Sequence, residues 1–335
     1  MERVVGEHLS PAVLPDQRSG PPDPVPFRHA AAVVDTRAQL LAVALPFLDA
    51  GLRAGDLVAL TCRPETADRI CAELGERSRQ VESDRALSLL GARAPDALGR
   101  ARGFVARAAG QGSGRLRILS EVDFEASSAG WREGLRFESA CNRFMRDAAV
   151  TTLCLYDRRR LPEPVVDSVA HTHPELVSGS TWAVSPAFQE PRSYVAALPV
   201  PREPIEDTEP VLAVDDAPAL AGLRHRIGAA LTALVPDREQ REDLHLATSE
   251  VAANAFRHGT RPVSARIWTD GTLVVCTIRD AGRSFGDPLA GFQPAHGDDL
   301  SRGGMGLWLA RKLWDVVDLL PGPDGFTVRL TTRLR

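Results

Sequence analysis

The sequence predicts a two-domain protein, with an α/β domain built on a parallel sheet followed by an α+β sandwich. The chain has 335 residues, a length that favours two domains over one. Short apolar runs alternate with amphipathic stretches over residues 27–184, whereas residues 215–335 show helical patterns followed by paired strand patterns. Between them, residues 185–214 are rich in proline and lack an amphipathic period, which predicts a linker with one short strand at its end.

In the first domain, four apolar runs are typical of buried strands: AAAVVD, DLVALTC, RLRILSE and VTTLCLYD. Amphipathic stretches between and after them predict helices over residues 36–51, 64–77, 95–109 and 130–148. This alternation predicts a parallel sheet with helices on both faces. Ligands of such folds bind at the carboxyl ends of the strands, so TCRPE, SEVDFE and LYDRRR should form the ligand edge.

In the second domain, two helices are predicted, one ending near residue 234 and one over residues 237–258, with Gly259 as a stop signal. The runs VSARIWTD and TLVVCTIRD predict a hairpin. A glycine-rich segment leads into a helix over residues 305–314, and a second hairpin should turn at Asp324-Gly325. Helices packed on one face of a mostly antiparallel sheet make an α+β sandwich.

The composition excludes several classes of protein. Hydrophobic residues make up 44% of the chain and charged residues 25%, as in soluble globular proteins. A net charge of -4 offers no attraction to nucleic acid or an anionic membrane. No apolar run approaches the roughly 20 residues that span a bilayer. We therefore expect a cytoplasmic protein with no direct nucleic-acid partner and no membrane contact.

Two further features of the sequence, its first 26 residues and its cysteines, also favour a cytoplasmic protein. The first 26 residues are polar and proline-rich and contain no apolar core of a secretory signal, which predicts a disordered tail. The odd number of cysteines and the absence of CxxC spacing favour reduced thiols over a disulfide framework. The cysteines are Cys62, Cys71, Cys141, Cys154 and Cys276.

The chain contains one lysine, and this excludes one kind of nucleotide site. A Walker-A phosphate loop needs a lysine followed by serine or threonine. Lys312 is followed by Leu313. The sequence therefore contains no such loop, and the first domain contains no lysine at all.

A polar stripe marks the second predicted helix of the second domain. In SEVAANAFRHG, residues 249–259, Glu250, Asn254 and His258 are spaced at i, i+4 and i+8 and share one helix face. Apolar residues fill the gaps between them. The stripe faces either solvent or a ligand.

Two further motifs favour a ligand. RDAGRSFGDP places Asp280 at the end of a strand, followed by Gly282 and Phe285. RGGMGLWLARKLWD places Gly304 and Gly306 just before a helix. Glycines let the backbone approach a ligand closely, and a helix N-terminus offers free N–H groups to phosphate.

The order of these three motifs over residues 217–335 resembles that of the histidine-kinase-like ATPases, which have the Bergerat fold. Within that superfamily, the E-x-x-x-N-x-x-x-H form resembles the anti-sigma factor and serine kinase branch. The resemblance implies that ATP and Mg²⁺ are the cofactors and that Glu250 orients or deprotonates the attacking hydroxyl. Asn254 would be the Mg²⁺ ligand, and Asp280 would accept a hydrogen bond from the adenine amino group. The implied ATP-site residues are Asn254, His258, Asp280, Gly282, Phe285, Gly304 and Gly306. For His258, an interaction with the helix dipole remains the alternative.

The first domain, residues 27–184, resembles the MEDS sensory domain from residue 27 to about residue 179. The residues that carry this resemblance are His29, GLRAGD at 51–56, CLYD at 154–157 and His173-Pro174. It implies a RecA-like parallel sheet without a phosphate loop and a small-molecule ligand. A metal site formed by Cys154, Asp157, His171 and His173 is an alternative. Because His-x-His at a helix end does not put both rings on one face, we expect solvated or capping histidines and place Cys154 in the core.

Three functions fit these observations. The first is an anti-sigma factor and protein serine kinase that holds a sigma factor, phosphorylates a STAS-type anti-sigma antagonist and is controlled by the N-terminal sensory domain. The second is a non-catalytic ATP-dependent module that sequesters a regulator. The third, a histidine kinase, is disfavoured because it needs a dimerising helical hairpin, and one helix carrying His225 is too little. The sequence is also compatible with a homodimer.

Overall fold

The computed structural model describes residues 27–124, 127–282, 286–294 and 305–335. The described part of the chain forms two sheets, each with its own helices. Each sheet has its own core, and one further core of the first domain also includes Leu289 and Phe292 of the second. The tail predicted at residues 1–26 lies outside the described residues. No helix in the described ranges combines the length and the apolar character needed to cross a membrane.

The first sheet has seven strands in the order β3-β2-β4-β5-β1-β6-β7 and is parallel except for its last strand. Its strands are β1 (Phe27–Val34), β2 (Leu57–Thr61), β3 (Val81–Ser83), β4 (Leu116–Glu121), β5 (Val150–Asp157), β6 (Glu175–Ser178) and β7 (Thr181–Val184). The four strands predicted from apolar runs are β1, β2, β4 and β5. The strands β3, β6 and β7 were not predicted, because they have only three or four residues and are half-buried or exposed at most positions.

Helices cover both faces of this sheet, as the alternation predicts. They are α1 (Arg37–Ala54), α2 (Pro64–Leu74), α3 (Ala94–Ala109), α4 (Ser128–Phe144) and the short α5 (Glu163–Asp167) and α6 (Val169–Thr172). Leu153 and Leu155 of β5 pack with α1 and α2, whereas Cys154 and Tyr156 face the opposite core with α5 and α6. The side chain of Thr36 caps α1.

Residues 185–214 contain structure that the composition did not predict. The helix α7 (Pro191–Ala197) buries Tyr194 and Val195 in a core that includes Phe137 and Ala140 of α4. Seven residues are too few to show a helical period in the sequence. The proline-rich composition therefore predicted a linker where the structure has a packed helix. The predicted short strand is β8 (Leu212–Val214).

The second sheet has five antiparallel strands in the order β11-β12-β10-β9-β8. After β8 the chain forms α8 (Leu220–Leu234), α9 (Arg238–His258), β9 (Ser264–Thr269), β10 (Leu273–Asp280), α10 (Gly306–Leu313), β11 (Val316–Gly322) and β12 (Gly325–Arg333). The three helices pack on one apolar face of the sheet and share a single core with it. The last hairpin pairs Gly322 with Gly325, so its turn lies one residue before the predicted position.

The two domains meet at Asp318, a fully buried carboxylate on β11. Arg136 donates to its Oδ1 at 2.7 Å, and Arg132 donates to its Oδ2 at 3.4 Å. Both arginines lie on α4, whereas Arg329, which donates to Oδ2 at 2.7 Å, lies on β12. Burial alone would raise the pKa of Asp318, but the charges of the three arginines outweigh burial and lower the pKa to about 2.

Asp318→Asn should therefore reduce the free energy of unfolding by about 2 kcal/mol at pH 7, because three guanidinium groups lose a buried counter-charge. The folded pKa lies below the ordinary value of 3.8, so the carboxylate stabilises the fold above pH 3.8, and this contribution is lost as the pH falls toward 2. Denaturant unfolding between pH 7 and pH 3 should show the difference from wild type shrinking below pH 3.8. Asp324→Asn, in the exposed turn, is the matched control; a pH-independent difference would contradict the assignment.

Candidate functional site

The polar stripe lies on the C-terminal half of α9. Asp237 begins this helix by accepting a hydrogen bond from the backbone N–H of Gln240 at 2.7 Å. Asn254 is half-buried, and the residues that separate it from Glu250, namely Val251, Ala252 and Ala253, are buried. Asn254 therefore lies where the exposed and buried faces of α9 meet. The region in which α9 adjoins the start of α10 at Gly306 and the end of β10 at Asp280 is called the cleft below.

The helix α10 begins directly against Asn254. A Cβ atom at Gly306 would lie 2.6 Å from Nδ2 of Asn254 and 3.3 Å from the carbonyl oxygen of Glu250. Only glycine lets the two helices approach this closely. The result is that the free N–H groups at the start of α10 and the Asn254 amide lie side by side, an arrangement suited to phosphate and its cation.

Asp280 forms the other end of the cleft, at the last residue of β10. It is 7% exposed, and its Oδ1 accepts hydrogen bonds from the backbone N–H of Gly282 at 2.7 Å and of Thr260 at 3.1 Å. A Cβ at Gly282 would lie 2.6 Å from Oδ1 of Asp280. The close approach to this carboxylate therefore requires glycine at position 282. The role of Gly282 beside a ligand stays a prediction.

Gly259 has a role that sequence reasoning missed. The helix α9 does end at His258, but Gly259 has φ -83°, so it is not a left-handed stop. A Cβ at this position would lie 2.4 Å from the carboxyl carbon of Asp280. Glycine is needed here because α9 and the end of β10 approach each other, and the motif EVAANAFRHG thereby includes a residue that shapes the cleft.

Glu250 has a partner that the sequence did not indicate. Arg224 of α8 donates to Oε1 of Glu250 at 3.4 Å and to the backbone carbonyl of Ser249 at 3.3 Å. Both side chains are about one-third exposed, at 37% and 34%. Arg224 therefore holds Glu250 at the rim of the cleft. Because it lies 26 residues away on another helix, no local spacing pointed to it.

The other predicted site residues divide into two groups. His258 is exposed at the last position of α9, where both a ligand contact and the helix dipole remain explanations for it. Phe285 and Gly304 lie outside the described residues. The described site therefore consists of Glu250, Asn254, Asp280 and the two glycines Gly282 and Gly306.

Asp280→Asn should weaken ATP binding by about 1.5–3 kcal/mol and reduce the preference for ATP over GTP, because the carboxylate acceptor becomes a group that also donates. Calorimetric titration with each nucleotide measures both effects. Asp324→Asn, which removes an exposed carboxylate of the same domain, should bind as wild type does. Unchanged ATP affinity in Asp280→Asn would refute the role of Asp280.

The predicted ligand edge of the first domain borders a cavity of about 350 Å³. All three predicted segments line it, through Arg63, Glu121 and Arg159 among others. Arg63 is held by Glu121, whose Oε2 accepts from the Arg63 backbone N–H at 2.9 Å. The cavity thus lies where the sequence predicted it.

Four side chains from separate elements converge in the core of the first domain: His29, Glu138, Cys154 and His173. All are buried, and one ligand atom from each lies within 4.8 Å of the others. His29 comes from β1, Glu138 from α4 and Cys154 from β5, and His173 follows α6. These elements are distant in sequence, so local spacing could not predict the cluster, and Glu138 was missed altogether.

This cluster corrects the alternative metal set of the sequence analysis. Cys154 and His173 belong to the cluster, but His171 and Asp157 do not. Nδ1 of His171 lies 3.1 Å from the carbonyl oxygen of Ala187, and Asp157 pairs with Arg159 at 2.6 Å. The expectation of solvated histidines was wrong for His173, which is fully buried, although its Nδ1 does make a capping contact.

Two family models match the chain. The MEDS model, described as the methanogen/methylotroph, DcmR sensory domain, matches residues 28–174. The histidine kinase-like ATPase domain matches residues 213–332 and so includes Glu250, Asn254 and Asp280. Comparison with curated proteins gives no match. The chain therefore joins an N-terminal MEDS domain to a C-terminal histidine kinase-like ATPase domain.

Proposed function

We propose that this protein is an ATP-dependent anti-sigma factor and protein serine kinase with a Bergerat-type domain, controlled by its RecA-like MEDS domain. Its partners would be a sigma factor and a STAS-type anti-sigma antagonist. The observation that carries the proposal is the close approach of Asn254 to the start of α10 at Gly306. In this arrangement the Asn254 amide, which could supply an oxygen ligand for Mg²⁺, lies beside N–H groups that could bind phosphate.

The nucleotide would extend along the end of α9. Asn254 and Gly259 are five residues apart, which is about 7.5 Å along a helix axis. Adenine bound at Asp280, beside Gly259, therefore directs the phosphates toward Asn254. With Nδ2 of the Asn254 amide toward Gly306, its Oδ1 is the atom that would hold Mg²⁺, and this cation neutralises phosphate charge when it is bound.

Glu250 would act as the general base for phosphate transfer. It lies one helical turn before Asn254, so its carboxylate is near the γ-phosphate in this arrangement. It would take the proton of a serine hydroxyl of the antagonist as the serine oxygen bonds to the γ-phosphorus and ADP leaves. Arg224, which donates to Oε1, would position the carboxylate.

The same Arg224 contact supports a second candidate function, a non-catalytic ATP-dependent module that sequesters a regulator. Arg224 occupies one oxygen of Glu250 at 3.4 Å and so competes with a hydroxyl for it. In this case ATP would only shape the partner surface. The histidine-kinase alternative gains no support. Within residues 185–214, before α8, the structure has one α-helix of seven residues and one 3₁₀ helix of four, which are too short for a dimerising helical hairpin.

The contacts of α4 provide a physical basis for control by the MEDS domain. On one side, α4 contributes Glu138 to the buried cluster and borders a small, mostly apolar cavity of about 40 Å³. On another side, Glu133 of α4 accepts from Arg311 of α10 at 3.3 Å, and Arg136 reaches Asp318 of β11. A shift of α4 would therefore be transmitted to α10, whose first residue contacts Asn254.

A pull-down with the intact protein from its own cells, with and without Mg²⁺-ATP, tests the proposed partners. We expect mass spectrometry to identify a sigma factor in one nucleotide state and a STAS-type protein in the other, because the two partners compete. Recovery of neither protein under both conditions would contradict the anti-sigma function. Recovery of the sigma factor without ATP-dependent phosphorylation of the STAS-type protein would favour the non-catalytic module.

A further inference from the structure

We propose that His29, Glu138, Cys154 and His173 of the MEDS domain bind one transition-metal cation, and that Zn²⁺ fits the donor set. The cluster is separate from the nucleotide site, and the proposal does not depend on the proposed kinase function.

The distances within the cluster match a four-coordinate site. Nε2 of His29 lies 3.2 Å from Oε2 of Glu138 and 3.4 Å from Sγ of Cys154. Nε2 of His173 lies 3.6 Å from the same Glu138 oxygen, and Sγ of Cys154 lies 3.9 Å from it. A tetrahedral Zn²⁺ with bonds of about 2.0 Å to nitrogen and oxygen and 2.3 Å to sulfur spaces its ligand atoms about 3.3–3.6 Å apart. These four distances are close to that spacing, and the remaining pairs of ligand atoms lie within 4.8 Å of one another.

The hydrogen bonds around the cluster orient His29 as a metal ligand. Its Nδ1 lies 3.0 Å from Oδ1 of Asn142. The Asn142 amide nitrogen donates to the carbonyl oxygens of Glu138 and Thr172 at 3.2 and 2.7 Å, so its oxygen is the group that faces His29. Nδ1 of His29 consequently carries the proton, and the lone pair of Nε2 points into the cluster.

His173 has the same arrangement with a different partner. Its Nδ1 lies 3.1 Å from the carbonyl oxygen of Val169, which can only accept, so Nδ1 again carries the proton. Its Nε2 is buried and has no hydrogen-bond partner among the described residues. A buried polar atom without a partner is costly, and a cation within the cluster would satisfy it.

The chemistry of the four donors selects the class of cation. Glu138 is 4% exposed, and its ion-pair contacts within the described residues are with the two imidazoles. A divalent cation would compensate its buried charge. Two imidazoles and a thiol favour Zn²⁺ and similar transition metals over Mg²⁺ or Ca²⁺, which prefer oxygen ligands. Binding would release the thiol proton of Cys154 to solvent.

The test is metal binding by the full chain, purified with a removable affinity tag that contains no histidine. We expect one equivalent of Zn²⁺ by elemental mass spectrometry after reconstitution and dialysis. With Co²⁺ in its place, we expect a sulfur-to-cobalt charge-transfer band and the intense visible bands of a tetrahedral site. Metal-free protein after reconstitution, or bound Co²⁺ without the sulfur band, would overturn the proposal.

The variant Cys154→Ser tests whether the sulfur that binds the metal is that of Cys154. This variant should lose the charge-transfer band and bind Zn²⁺ at least about tenfold more weakly, while circular dichroism reports that it is folded. Cys62→Ser is the matched control, because Cys62 is equally buried and lies just after a strand of the same sheet, outside the cluster. Loss of the band in Cys62→Ser instead would overturn the assignment. If Cys154→Ser does not fold, the presence or absence of the sulfur-to-cobalt band in the wild-type protein decides whether a thiolate binds the metal.

Discussion

Glu250→Gln is expected to bind Mg²⁺-ATP as tightly as the wild-type protein and to transfer phosphate to a serine of the antagonist about 10²–10⁴-fold more slowly. Glutamine keeps the shape of the side chain and can still accept from Arg224, which now donates at 3.4 Å. It cannot take the proton of the attacking hydroxyl. Sigma-factor binding should survive, because it would use the domain surface rather than the phosphate site.

The measurement compares both proteins with labelled ATP and the purified antagonist. Glu242→Gln is the matched control, because Glu242 lies on the same helix in an exposed pair with Arg238. Equal phosphorylation by wild type and Glu250→Gln would show that Glu250 is not the base. Absence of phosphorylation by either protein would favour the non-catalytic module.

Asn254→Ala is expected to abolish Mg²⁺-dependent nucleotide binding. Mg²⁺ needs oxygen ligands in near-ideal geometry, and alanine removes the side-chain oxygen that the cleft offers beside α10. Calorimetric titration with ATP in the presence of Mg²⁺ measures the loss. Binding of unchanged affinity would show that the ion is held elsewhere.

Gly306→Ala tests the same contact from the other helix. Its added methyl group would lie 2.6 Å from Nδ2 of Asn254, so the amide or the helix must move, and Mg²⁺-ATP binding should weaken. Gly222→Ala on α8, where an added Cβ meets no atom within 4 Å, should bind ATP normally. Comparing the ATP affinities of the two variants distinguishes displacement of Asn254 from a general effect of alanine in a helix.

Much of the fold could be predicted because its main elements are long and periodic. The strand VTTLCLYD was predicted with its observed limits, and α9 was predicted to within one residue. Short elements such as β3 and α7 were missed, since three to seven residues show no reliable period. The contact between the two domains at Asp318 was also missed. The sequence around Asp318 gives no sign that two arginines of α4 pack against this carboxylate.

The residues of the proposed nucleotide site could be located from the sequence more readily than the cluster in the MEDS domain. Asn254, Asp280 and Gly306 lie in motifs, and their spacing reflects the elements that position them. His29, Glu138 and His173 come together only through the sheet order β5-β1-β6 and the packing of α4, which a single sequence does not reveal. Local motifs can therefore be read from sequence, whereas sites assembled from distant elements need the tertiary structure.

The number of nucleotides that the wild-type full chain binds tests the proposed ATP site most directly. Titration calorimetry with ATP should give one site per chain in the presence of Mg²⁺ and none after chelation, because the ATPase domain supplies the cleft and the first domain lacks the lysine of a phosphate loop. Two equivalent sites, or no binding with Mg²⁺ present, would contradict a single ATP site in the second domain.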